Sequence, residues 1–131
     1  MYIVTEFVGG SRDLCDIMEQ ANETWDRETP LFPVDDVRKL MRMILSGVTH
    51  MHANNIVHRD LKPANCLLDQ KFELNIIDFG LAIERKAEPA DGAGKILGTP
   101  AFMAPEIWQQ HGASGAYQEP VDVWACGVTM Y

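Results

Sequence analysis

From Asp35 onward the apolar side chains Val37, Leu40, Met41, Ile44, Leu45, Val48 and Met51 recur at the spacing that lines one face of an α-helix. Asp35 and Asp36 stand at its start, and His50 and His52 at its end. Each sign lies where the helix dipole favours it. This is the most secure helix in the chain, and its apolar face needs partners. Residues 1–8 read as a short β-strand, broken by Gly9-Gly10. Ser11 can cap a helix that starts near Arg12 and carries Leu14, Ile17 and Met18 on one face. Residues 20–33 are polar, contain two prolines and read as a long surface loop. Cys66 to Leu68 and Phe72 to Ile77 read as short strands joined by Asp69-Gln70-Lys71, a hairpin. Residues 84–98, rich in Gly, Ala and charge, read as a mobile loop. From Val121 to Tyr131 the chain is apolar and reads as the start of a buried helix.

Composition narrows the function classes. A chain of 131 residues with 47% hydrophobic content suits one soluble globular domain. Its net charge of −8 offers no basic stripe to neutralise phosphates, which argues against nucleic acid or an anionic membrane as partner. No apolar run approaches membrane-spanning length, and the N-terminus meets Glu6 too early for a signal peptide. Cys15, Cys66 and Cys126 are odd in number, widely spaced and free of any C-x-x-C pattern. Reduced, buried thiols in a cytoplasmic or nuclear protein are the expectation.

Three runs carry chemistry: His58-Arg59-Asp60-Leu61-Lys62-Pro63-Ala64-Asn65, then Asp78-Phe79-Gly80, then Ala104-Pro105-Glu106. Taken singly, Asp60 reads as a turn cap and Asp78 as the start of a loop. In this order and spacing the runs resemble the catalytic loop, the magnesium-binding loop and the activation-segment anchor of eukaryotic protein kinases. The resemblance implies an α+β protein-kinase-like fold, with ATP and Mg2+ as cofactors. Asp60 would accept or orient the proton of the substrate hydroxyl, and Lys62 would reach the transferring phosphate. Asn65 and Asp78 would hold magnesium through oxygen ligands. Asp60 and Asn65 lie at either end of one tight loop, and Asp78 follows a paired strand, so both metal ligands can converge. Lys62, with Thr99 in Gly98-Thr99-Pro100, resembles the serine/threonine class. Ala64 stands where many members that prefer basic targets carry Glu.

Further roles follow from the same resemblance. Glu6-Phe7-Val8 is similar to the hinge, whose backbone at Glu6 and Val8 would bind the adenine edge, with Thr5 gating the pocket behind. Leu67 would form the pocket floor, and Asp13 would meet the ribose or a basic substrate residue. The plainer readings are a strand end, a core leucine and a solvated carboxylate. His58 would pack beneath Phe79 rather than act on protons. Asp122 would anchor the catalytic-loop backbone near His58 and Arg59 from below. His50 and His52 read as helix-end residues and His111 as a loop residue, so no metal cluster is expected.

Between Leu81 and Gly98 the sequence has no Ser, Thr or Tyr. The usual phosphate that pairs with Arg59 therefore has no acceptor there, and Glu88 or Asp91 is the candidate for a constitutive charge in its place. The stretch from Gly98 onward is weakly similar to calcium/calmodulin-dependent kinase kinases.

The resemblance covers the whole chain but only the middle of the family domain. Residues 1–10 would be the last N-lobe strand and hinge, and residues 11–131 an incomplete, mostly helical C-lobe, truncated at both ends. The lysines lie at positions 39, 62, 71, 86 and 95, so none precedes the hinge to clamp the α- and β-phosphates. The closing helix would leave Val123, Trp124, Val128 and Met130 partly uncovered, and the isolated chain is expected to be unstable and inactive alone. The function implied is that of a serine/threonine protein kinase fragment, acting on a protein hydroxyl, with regulatory domains or proteins outside this window. The alternative is a non-catalytic, partner-dependent scaffold resembling a pseudokinase.

Overall fold

The computed structural model describes residues 5–85, 96–109 and 119–131. The expected long helix is α2, Val34–Ala53, which buries Ile44, Val48 and Met51. Its first turn has no side-chain cap; instead the Pro33 carbonyl accepts from the N–H groups of Asp36 and Val37 at 3.0 and 3.1 Å. Proline suits the entry because its fixed φ leads into the helix.

Preceding it are β1, Arg12–Asp13, and α1, Leu14–Glu23. This corrects two expectations. The cap of α1 is Asp13, whose Oδ1 accepts from Asp16 N at 2.9 Å, while Ser11 hydroxyl donates to Val8 O at 2.8 Å and closes a turn. Arg12 and Asp13 cannot be helical because their backbone pairs with Leu68 and Leu67. Helix α1 also runs on to Glu23, so the polar loop occupies only residues 24–33.

After α2 come β2, Ile56–Val57; β3, Cys66–Leu68; β4, Leu74–Ile76; and β5, Ile83–Glu84. One antiparallel sheet has the order β1-β3-β4 and another pairs β2 with β5. The expected hairpin forms with Cys66 opposite Ile76 and Leu68 opposite Leu74, but its second strand starts later than Phe72. Asp69 Oδ1 accepts from both Lys71 N and Glu73 N at 2.8 Å, which lengthens the turn and places Phe72 at φ +63°. Residues 5–8, expected to continue a strand, are unpaired; residues 1–4 lie outside the described residues. The loop expected from residue 84 starts beyond β5, and residues 86–95 also lie outside them.

The chain closes with α3, Pro105–Gln109, and α4, Pro120–Met130. Helix α2 packs against β4, β2 and α4. It approaches β4 closely at Gly47, where an added Cβ would fall 2.8 Å from Ile76 Cδ1. A main core gathers Leu14, Ile44, Val48, Met51, Leu61, Cys66, Ala125 and Cys126. A second core under the far end of the chain holds Val57, Met103, Ala104, Ile107 and Val121. Of the four side chains expected to be partly uncovered, Val123, Trp124 and Met130 are exposed and Val128 is half-buried.

Ile44→Ala should lower stability by about 2–4 kcal/mol, because Ile44 is buried in the α2 face. A urea titration would show a lower midpoint at unchanged slope; an unchanged midpoint would mean that this face is not core.

Candidate active site

Strand β2 delivers the chain into His58-Arg59-Asp60, and the first group to be fixed there is the backbone. Asp122, 1% exposed on α4, accepts from His58 N through Oδ2 and from Arg59 N through Oδ1, both at 2.9 Å. A buried carboxylate is costly without such donors. A third donor was not foreseen: His52 Nε2 lies 2.9 Å from Asp122 Oδ2. The dipole argument placed His52 at the helix end, yet it stands four residues after buried Val48, on the same face. That spacing was the available signal.

His58 is fully buried beneath Phe79, with ring centroids 5.0 Å apart. Its Nδ1 accepts from Asp60 N at 3.3 Å, which puts the ring proton on Nε2, 3.0 Å from Ile77 O. The ring therefore ties the loop of Asp60 to the strand that leads to Asp78. Arg59 adopts φ +68° and donates from Nε to Leu81 O at 2.6 Å. Glu88, Asp91 and His111 fall outside the described residues.

Asp60, Lys62, Asn65 and Thr99 come together. Asp60 Oδ1 accepts from Thr99 N at 2.8 Å and from Thr99 Oγ1 at 2.7 Å. Lys62 Nζ donates to Asp60 Oδ2 at 2.9 Å and to Thr99 Oγ1 at 2.8 Å. The chain can bring Thr99 this close because residue 98 is glycine. Gly98 has φ +112°, and a Cβ there would sit 2.7 Å from Arg59 O. Burial pushes the Asp60 carboxyl upward, but the Thr99 hydroxyl, Lys62 and the Thr99 N–H outweigh it and hold the group below the usual aspartate value.

Asn65 is buried, and its side-chain N–H donates to Asp60 O at 2.8 Å, with Asp60 Oδ2 at 3.4 Å. That leaves Oδ1 as the amide's acceptor. Asn65 O accepts from Ile77 N at 2.9 Å, so the hairpin holds Asn65 beside the residue preceding Asp78. Asp78 is exposed, at φ +63°, with Oδ1 accepting from Gly80 N at 3.2 Å. Among the described residues no three His, Cys, Asp or Glu side chains cluster around a metal site. One carboxylate and one amide oxygen nevertheless suit Mg2+, which keeps water and phosphate oxygens as its remaining ligands.

Of the other predicted residues, Asp13 lies on β1, which packs against Pro63–Asn65. Leu67 and Asp13 are directly opposite each other across β1 and β3, though one Asp13 oxygen is spent capping α1. Thr5 and Glu6 are exposed and belong to no helix or strand. Val8 O accepts from both the hydroxyl and the N–H of Ser11.

Because Asp60 is held below its ordinary value, its contribution to stability is present above the unfolded-state value and lost as pH falls through the folded one. Lys62→Met should raise the Asp60 titration point, read by NMR of the carboxyl carbon; an unmoved midpoint would remove Lys62 from the set of groups that control it.

The protein kinase domain family matches the chain over residues 1–131. The phosphorylase b kinase gamma catalytic chain, liver/testis isoform, of Homo sapiens is 42% identical over 98 residues, covering 73% of this chain and 24% of that protein. CBL-interacting serine/threonine-protein kinase 21 of Arabidopsis thaliana is 35% identical over 133 residues, covering 98% of this chain and 30% of the relative. A titin homolog of Caenorhabditis elegans is 42% identical over 135 residues, covering all of this chain and 1% of its own length. The chain thus spans less than a third of each of these relatives. With every member of the Asp60 cluster in place and the family matched from end to end, the chain belongs to the protein kinase domain family.

Proposed function

We propose that these residues form part of a serine/threonine protein kinase, transferring the γ-phosphate of Mg-ATP to a protein hydroxyl. The observation that carries this reading is the Asp60 carboxylate, held by Thr99 and Lys62 with the Asn65 amide alongside. Phosphoryl transfer asks the protein for positioning and charge rather than covalent work. Asp60 would orient the incoming hydroxyl and take its proton at Oδ2, the oxygen not bonded to Thr99. The Lys62 ammonium, anchored between Asp60 and Thr99, would meet the negative charge of the phosphoryl group. Asn65 Oδ1 and Asp78 would hold magnesium, which supplies charge neutralisation on the phosphates when bound. Leu67, Asp13 and the backbone at Glu6 and Val8 would contact the nucleoside, with Thr5 behind the adenine.

A protein substrate fits the exposed Pro100 and Ala101 beside Thr99. Three free thiols support a reducing compartment, cytoplasm or nucleus. Cys66 and Cys126 are buried and inert, with thiols pushed up to about 12 and about 11; Cys15 is partly exposed, contrary to the expectation that all three are buried.

In the full-length enzyme, Asp60→Asn should lower turnover by about 10²–10⁴-fold with nucleotide affinity retained. Radiolabelled phosphate transfer to a Ser/Thr peptide library measures it. Turnover equal to that of the parent would dismiss Asp60 as the proton acceptor.

A further inference from the structure

Arg85 belongs to none of the three motifs, yet it joins three separate segments behind the catalytic loop. Its backbone N–H donates to Asn55 O at 2.7 Å. Its guanidinium reaches Glu119 Oε1 at 2.5 Å through one amino group and Asn55 Oδ1 at 3.1 Å through the other. Asn55 sits at φ +61° in the turn between α2 and β2. Glu119 is the N-cap residue of α4, three positions before Asp122. Arg85 itself follows β5, which pairs with β2 so that Ile56 faces Glu84 and Val57 faces Ile83.

All three segments border the catalytic loop. The chain leaving Asp78 passes Leu81, whose carbonyl is bonded to Arg59, enters β5 and ends at the Arg85 fork. We propose that Arg85 is a positioning residue. Its bonds to Glu119 and Asn55 hold residues 78–85 against the loop of Asp60 and so keep Asp78, which follows the Ile77 N–H bonded to Asn65 O, in place without a phosphorylated side chain. This rests on the kinase reading given above.

Two observations favour an internal tie. No Ser, Thr or Tyr lies between Leu81 and Gly98, and the hydroxyl of Thr99 is already committed to Asp60. The Arg85 and Glu119 side chains are 45% and 31% exposed, where an isolated ion pair contributes little. The fork differs from such a pair because planar donors engage two acceptors on separate segments while the same residue's backbone makes a third bond.

The test is a charge-reversal cycle in the full-length protein: parent, Arg85→Glu, Glu119→Arg and the double variant. Peptide phosphorylation gives kcat and KM, and hydrogen exchange reports on residues 79–84. Each single reversal should lower kcat about three- to tenfold with peptide KM little changed. The double variant should recover most of the loss and the exchange protection. Singles that match the parent, or a double no better than the weaker single, would overturn the proposal. A parent that transfers no phosphate would instead defeat the kinase reading, and exchange alone would then decide. Protection lost in the singles and regained in the double upholds the tie; protection unchanged throughout rejects it.

Discussion

Asp122 is a carboxylate almost sealed from water, and such a group persists only where donors replace the solvent it has lost. It finds three: the backbone N–H groups of His58 and Arg59 and the imidazole of His52. Those donors come from the end of α2 and from the catalytic loop, while the acceptor is on α4. One side chain therefore fixes the relative placement of two helices and the loop between them. Hydrophobic packing of Ala125 and Cys126 against the α2 face brings these elements together without specifying their register. The directional bonds supply that register, and the Asp60 geometry is built on it.

The site also stores backbone strain. Arg59 and Asp78 are both in the left-handed region, which non-glycine residues occupy at a cost of about 1–3 kcal/mol each. Each is held there by bonds from its neighbours: Arg59 N to Asp122 and Arg59 Nε to Leu81, and Asp78 Oδ1 to Gly80 N. The price is met by the surrounding network, which makes the loop a fixed template rather than an adaptable one. Gly98 avoids such strain, and its missing side chain lets Thr99 reach Asp60.

The legible parts of the fold were those governed by periodicity. The 3.6-residue pattern located the start of α2 to within a residue, and the short apolar runs on either side of a polar turn located β3 and, less closely, β4. Where a side chain competes with the backbone pattern, the reading slipped. Asp13 rather than Ser11 caps α1 because β1 takes up the preceding residues, and Asp69 extends the hairpin turn past Phe72. That Asp60, Lys62, Asn65 and Thr99 come together was legible because each falls within a short motif. The partner of His52 and the Arg85–Glu119 pair were not: the spacing from Val48 puts His52 on the packed face without naming Asp122, and Arg85 and Glu119 belong to no motif.

The separation of contacting residues along the chain bears on the order in which the molecule is assembled. Helix α2 and the β3–β4 hairpin close within a few residues, so their entropy is repaid almost as soon as it is spent. Thr99 meets Asp60 across 39 positions, and Asp122 meets His58 across 64. These long loops must close before their hydrogen bonds return anything. The helical scaffold can thus exist before the Asp60 carboxylate meets Thr99, and an incompletely folded chain would carry its secondary structure without the geometry of that cluster.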